Sequence, residues 1–244
     1  MPSFERDGAT LHYEVHGEGF PVLAFAPAGL ASVIAVWHQP MAAINPIAEF
    51  AGRYRVIVMD QRNAGGGSHG PITVGDGWDT YTADHVALLD HLGVERCHLY
   101  GQCIGGSFII NMLKLAPGRV ASAVLAQPIG RIAPELPPPP ARFGAWAAAL
   151  VDHPEATPEV LGAFYRNLYT AGFVYCADRA VVRAIQAPCL VLAGADDVHP
   201  RAISEELAHL IPDCELIEAW KTGPALEAAR ARVLDFFAAH TPQS

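Results

Sequence analysis

Gly101-Gln102-Cys103-Ile104-Gly105-Gly106 is the stretch whose residue types and spacing point most directly to chemistry. It follows a strand-like run, Cys97-His98-Leu99-Tyr100. It opens a helix-like one that begins near Ser107 and continues through Phe108, Ile109, Ile110, Asn111, Met112, Leu113 and Lys114. A strand, a glycine-flanked nucleophile and a helix describe a tight turn that lifts one side chain above a parallel sheet. Glycines suit positions 101 and 105, where a side chain would collide with neighbouring backbone. The residue lifted is Cys103. A serine hydroxyl without a base is a poor nucleophile at neutral pH, whereas a thiol with a pKa of about 8.5 is already a few per cent thiolate. The helix N-terminus beneath Cys103 is expected to lower that pKa further.

The elements that must position this turn are legible as hydrophobic patterns. Alternating Leu11, Tyr13 and Val15 read as an edge hairpin strand ending at Gly17. Residues 22–26 and 54–60 are largely apolar runs, as expected for strands covered on both faces. Thr80 to Leu92 has a helical period, with Tyr81, Leu88, Leu89 and Leu92 on one side. Beyond the Cys103 turn and its helix comes another buried strand at 121–125. Strands alternating with helices predict an α/β domain with a mostly parallel, doubly wound sheet.

The alternation breaks at Pro128. Leu136-Pro137-Pro138-Pro139-Pro140 reads as a stiff, extended linker, followed by helical patterns near 143–151 and 158–169. The sheet resumes at Pro188-Cys189-Leu190-Val191-Leu192-Ala193-Gly194. A helix near 203–210, a strand near 215–219 and a last helix near 225–237 follow. The domain reading is therefore a core of residues 1–129 and 187–244, with 130–186 as an inserted helical lid.

The 244 residues are enough for one large domain with a sizeable core, and 51% of them are hydrophobic. A formal net charge of -9 argues against nucleic acid or an anionic membrane surface as partner. Five cysteines without a CxxC pair give neither a disulfide framework nor a zinc signature, and no metal or other cofactor is expected. Residues 1–7 carry charges where a signal peptide needs an apolar core, and no apolar run reaches transmembrane length. These features point to a cytoplasmic protein acting on a small molecule, with its oligomeric state left open.

With its parts in this order, the chain resembles the α/β-hydrolase superfamily over nearly its whole length. Asp60-Gln61-Arg62-Asn63-Ala64-Gly65 is similar to the D-x-R-x-x-G segment after the family's fourth strand. Leu190-Val191-Leu192-Ala193-Gly194-Ala195-Asp196-Asp197 resembles the segment that delivers the triad acid, which then falls on Asp197. The G-x-C-x-G-G turn resembles that of the dienelactone hydrolases, which use cysteine. The family's His-Gly after the third strand is replaced by Ala26-Pro27-Ala28-Gly29. The backbone N–H of Ala28 still suits an oxyanion donor beside that of Ile104, since main chain needs no particular side chain. The family's triad histidine has no counterpart: matching Pro224-Ala225-Leu226-Glu227 to the segment that follows it places Thr222 there, with Lys221 beside it.

Cysteine softens that loss, because a missing general base costs about 10²–10⁴-fold and a thiol needs one less than a hydroxyl does. His199, two residues after Asp197, is the first substitute base, and His38, beside Trp37, is the second. Trp37, His38 and Gln102 are the expected pocket residues, and Phe143, Trp146 and Phe164 add apolar surface suited to a small acyl or ring substrate. Each assignment has a structural rival. Cys103 could be a small apolar filler, Asp197 a helix cap and His199 a surface loop residue. Arg62 reads as a loop brace, and Cys97, Cys189 and Cys214 as core.

The sequence thus predicts an α/β-hydrolase-fold enzyme in which Cys103, Asp197 and His199 cleave a small ester, thioester or lactone. The alternatives are a non-hydrolytic enzyme of the same fold (a lyase, isomerase or cyclase) and a catalytically inactive binding protein.

Overall fold

Leu-, Val- and Ile-rich runs without polar alternation are satisfied only when both faces of the strand are covered. The computed structural model, which describes residues 2–131, 141–170 and 172–243, places each such run in one sheet. Its strands are β1 (Ser3–Arg6), β2 (Ala9–His16), β3 (Pro21–Phe25), β4 (Arg55–Met59), β5 (Cys97–Gln102), β6 (Val120–Ala126), β7 (Cys189–Leu192) and β8 (Cys214–Ile217). The order is β1-β2-β4-β3-β5-β6-β7-β8. The β1–β2 and β2–β4 pairs are antiparallel and the rest are parallel.

The strand at residues 3–6 was not legible from hydropathy, since Ser-Phe-Glu-Arg holds a single apolar residue. Its signal is the next dipeptide: Asp7 and Gly8 both take positive φ, 48° and 76°, as a two-residue hairpin turn requires.

Helices cover both faces. They are α1 (Pro46–Phe50), α2 (Trp78–His91), α3 (Gly105–Leu115), α4 (Ala141–Ala148), α5 (Pro158–Tyr169), α6 (Arg179–Arg183), α7 (Arg201–Leu210) and α8 (Gly223–His240). Alternation along the strands divides the core in two. Cys97 and Leu99 of β5 join Leu23, Phe25 and Phe108 on the face of α2 and α3. Tyr100 points the other way, into Trp37, Phe50 and Phe237 on the face of α1 and α8. Burying such side chains stabilises the sheet by about 1.5–3 kcal/mol each.

The segment carrying α4, α5 and α6 lies between β6 and β7, as the helical patterns predicted. Trp146 of α4 donates its indole N–H to the Asn63 carbonyl at 2.6 Å, and Trp78 of α2 donates to the Leu168 carbonyl at 2.8 Å. Both bonds are buried and fasten this segment to the core. The proline-rich stretch read as a linker lies outside the described residues. Among the described residues, no helix is long and apolar enough to cross a membrane.

Candidate active site

The turn after β5 is a strained one. Cys103 has φ 59°, an uncommon backbone state for a residue with a side chain and one that accumulates at functional sites. Its N–H is held by the Ala126 carbonyl of β6 at 3.0 Å, and its carbonyl accepts from Gly106 at 3.0 Å. The glycines are required by contact. A Cβ on Gly101 would stand 2.5 Å from the Gly105 carbonyl oxygen, and one on Gly105 2.6 Å from that of Phe25. Cys103 is therefore raised at the C-terminal edge of the parallel strands, directly before α3.

The backbone N–H groups of Ile104 and Ala28 lie on the side of the Cys103 thiol and act to lower it. Ala28 can present its N–H this way because it adopts φ 90° at the end of the loop after β3. The expectation of a lowered thiol is corrected. Burial pushes Cys103 above the ordinary cysteine value and outweighs the two N–H groups and the Arg142 charge, which act downward. The remaining cysteines go higher. Burial takes Cys97, Cys176 and Cys214 to about 12 and Cys189 well up; Cys97, Cys176 and Cys189 are core thiols, and Cys214 is partly buried against the core. Cys176, unplaced from sequence, donates to the Ser107 carbonyl of α3 at 3.2 Å.

The loop after β7 closes as a tight turn, with His199 N–H on the Asp196 carbonyl at 3.1 Å. A Cβ at Gly194 would run into the His199 carbonyl, so this glycine lets the turn fold back. Positions one and four of such a turn meet, and its middle positions project outward. The carboxylate that meets His199 is consequently Asp196, not Asp197. Asp196 Oδ1 accepts from the backbone N–H groups of Val198 and His199 and lies 2.8 Å from His199 Nδ1. Asp197 stands exposed at the tip, without a hydrogen bond or ion pair among the described residues.

Charge follows this geometry. Although burial opposes it, hydrogen bonds from His199 and Lys221 bring the Asp196 carboxyl down to about 2. Burial lowers the His199 imidazole below its usual value, against the upward pull of Asp196, so it is neutral at pH 7. The His199 side chain is only 13% exposed while that of Asp196 is 47% exposed. His199 Nε2 is buried and has no hydrogen-bond partner among the described residues. No hydrogen bond joins His199 to Cys103 in this structure.

The position of the absent family histidine is occupied differently. Trp220 donates to the Ala193 carbonyl at 2.8 Å and pins the loop after β8 against the loop after β7. Lys221 then reaches Asp196 Oδ2 at 3.2 Å. Thr222 is the N-cap residue of α8, with no side-chain capping bond.

Next to the raised cysteine lies a cavity of about 890 Å³. Ala28, Leu30, Asn63, Phe143, Trp146 and Tyr169 line it, with Arg142 and Asp152 among its charged residues. Cys103 is half-buried and does not itself border this volume. Ala28, whose N–H acts on its thiol, does, and so does Tyr169, whose ionisation Cys103 opposes.

The predicted pocket residues move elsewhere. Trp37 is 1% exposed and packs on Tyr100 beneath the sheet. His38 is exposed and does not border the cavity. Gln102 is buried and donates to the Met41 carbonyl at 2.8 Å, so it props a lining residue rather than lining the cavity. Phe143 and Trp146 do line it, and Phe164 stacks on Trp146 from behind at 5.2 Å. Arg62 is a brace, as read: it holds Asp84 through Nε at 2.9 Å and Nη2 at 2.7 Å. Asp60 takes the N–H of Ile34 at 2.7 Å and of Gly67 at 2.6 Å, tying two loops together. Among the described residues, no group of three or more His, Cys, Asp or Glu is arranged to hold a metal ion.

A strained residue on a strand-to-helix turn, above an eight-stranded and mostly parallel sheet, defines the architecture of α/β-hydrolases. The sequence model for the alpha/beta hydrolase fold matches residues 21–155, more than half of the chain, and the chain belongs to that family. It is 34% identical over 115 residues to a protein of Variovorax paradoxus named "Putative carbamate hydrolase RutD", covering 47% of this chain and 41% of that protein. Over 131 residues it is 30% identical to the 2-hydroxy-6-oxo-6-phenylhexa-2,4-dienoate hydrolase of Comamonas testosteroni, covering 53% and 44%. The chain thus matches less than half the length of these curated relatives. Among solved structures, Est816, an N-acyl homoserine lactone degrading enzyme, superposes with a TM-score of 0.67 at 26% identity, covering 98% of this chain and 99% of the other.

Proposed function

We propose that this protein is a hydrolase of a small ester, thioester or lactone, with Cys103 as nucleophile. The observation that carries the reading is Cys103 held at φ 59° on a strand-to-helix turn packed by glycines, with the Ala28 and Ile104 N–H groups on the side of its thiol. Donors on the side of the attacking atom suit the place where a carbonyl oxygen becomes an oxyanion, the position where such donors count most. Relatives named as hydrolases and a lactone-degrading structural neighbour support acyl chemistry at this site.

His199 takes the thiol proton at Nε2, with Asp196 holding its Nδ1–H and Lys221 steadying the carboxylate. The thiolate attacks the carbonyl carbon and forms a C–S bond. The tetrahedral adduct collapses by breaking the bond to the leaving oxygen or sulfur, which receives the proton from His199. Water then attacks the acyl-cysteine, gives a proton to His199 and releases the acid as the C–S bond breaks. Unliganded sites often leave the nucleophile-base bond open and close it when substrate binds. In this reading residues 130–186 act as a lid, and Phe143 and Trp146 shape the acyl pocket.

The upward shift of the Cys103 thiol favours a second reading, a non-hydrolytic enzyme of the same fold in which the cysteine only lines the site. Steady-state kinetics separates them. Covalent catalysis predicts that Cys103→Ala loses turnover entirely and that Cys103→Ser retains very little. Turnover by Cys103→Ala within about tenfold of wild type, a barrier change of only about 1.4 kcal/mol, would establish the second reading.

A further inference from the structure

Arg142 is the one arginine among the described residues that line the cavity. Arg6, Arg62, Arg119, Arg179, Arg201 and Arg232 each pair with a carboxylate. Arg142, in the first turn of α4, has no ion pair or hydrogen bond among the described residues, yet it lines the cavity. Much of the wall near it is apolar, including Leu30, Phe143, Trp146 and Leu150. Arg142 is exposed, and what separates it from other unpaired arginines such as Arg55 and Arg183 is its place in the cavity wall, where its guanidinium can meet an anion that enters.

We propose that the acyl group taken by this site carries a carboxylate, bound by Arg142 in the cavity wall. The proposal rests on the hydrolase reading for the chemistry, and on the cavity for the recognition. A guanidinium fork matches one carboxylate through two parallel N–H···O bonds. A phosphate is the poorer fit, since Arg142 is the sole Arg or Lys among the described lining residues and Asp152 shares the wall. The volume of about 890 Å³ accommodates a small acyl chain with its leaving group. The charge of Arg142 also acts to lower both Cys103 and His199, and Ala28 of the same cavity wall presents its N–H toward the thiol.

The test compares the glutaryl and pentanoyl thioesters of N-acetylcysteamine, which have equal chain length with and without a carboxylate. Wild type is expected to favour the glutaryl ester in kcat/KM by about tenfold or more. Arg142→Gln should bring that ratio close to one, and Arg142→Lys should keep part of it because the charge survives without the fork. A wild-type ratio of one or below overturns the proposal. So does a ratio unchanged in Arg142→Gln, the result expected if Arg142 acts only on the Cys103 thiolate. Calorimetric titration with N-propylglutaramate and N-propylpentanamide gives a readout independent of turnover. At least tenfold tighter binding of the acid, lost in Arg142→Gln, sustains the proposal even if neither thioester is cleaved, which would defeat the hydrolase reading alone. Equal affinities overturn it.

Discussion

The nucleophile side and the acid-base side of this site are built in different ways. Around Cys103 the backbone does the work: φ 59° at the cysteine, glycines packed against carbonyl oxygens, and two main-chain N–H groups on the side of the thiol. Around Asp196 side chains join the backbone N–H groups of Val198 and His199. His199 and Lys221 come from different loops and meet one carboxylate through its two oxygens, 2.8 Å and 3.2 Å away. A backbone device tolerates almost no substitution at its glycines. A side-chain device can be rewired, because any donor of the right reach satisfies the carboxylate. That contrast explains how the turn at Cys103 keeps its form while the loop after β8, with Thr222 where the family pattern has histidine, brings the neighbouring Lys221 to the carboxylate.

The comparison can be broken most sharply on the acid-base side. His199→Ala should lower kcat by about 10²–10⁴ with the fold intact, as loss of a general base does. Within the same turn, Asp196→Asn should cost about ten- to a hundredfold, the worth of a charge-assisted hydrogen bond of about 1.5–3 kcal/mol. Asp197→Asn should change little. Equal losses at Asp196 and Asp197 would mean that the turn seen here is not the working geometry.

On the nucleophile side the expected loss is in stability. Ala at position 101 places a methyl carbon 2.5 Å from the Gly105 carbonyl oxygen, so main chain has to move. Overpacking of this kind costs about 1–3 kcal/mol, and thermal unfolding of Gly101→Ala should begin roughly 2–10 °C lower. Gly118→Ala is the control, because a Cβ there meets nothing within 4 Å. Matching melting points for the two variants would show that the turn is not tightly packed.

The same contrast decides what could be read from the sequence. The sheet, the Cys103 turn and the helices around it follow from local patterns. Residues 158–169 are the clearest case: the helix predicted there is the one observed, with Thr157 capping it. The choice between Asp196 and Asp197 depended on a four-residue turn, and an aspartate at its first position was the available signal. Trp37 misled because a tryptophan after the third strand looks the same whether it packs above the sheet or below it. Arg142 carried no signal at all, since its importance comes from an absent partner and a neighbouring cavity, both properties of the assembled fold. The expected lowering of the Cys103 thiol failed for a related reason: burial is set by Tyr169, Ala28 and the loops around them, not by the helix that follows.

The central claim is that Cys103 forms a bond to substrate carbon, and the most direct measurement is the mass of that intermediate. An activated pentanoyl thioester is mixed with wild type and with His199→Ala, quenched within one turnover, digested and mapped by mass spectrometry. The account predicts a pentanoyl group on the peptide containing Cys103 and on no other cysteine peptide in wild type, forming more slowly in His199→Ala, where the thiol lacks its base. Product release at the same rate with Cys103 unmodified throughout would contradict it.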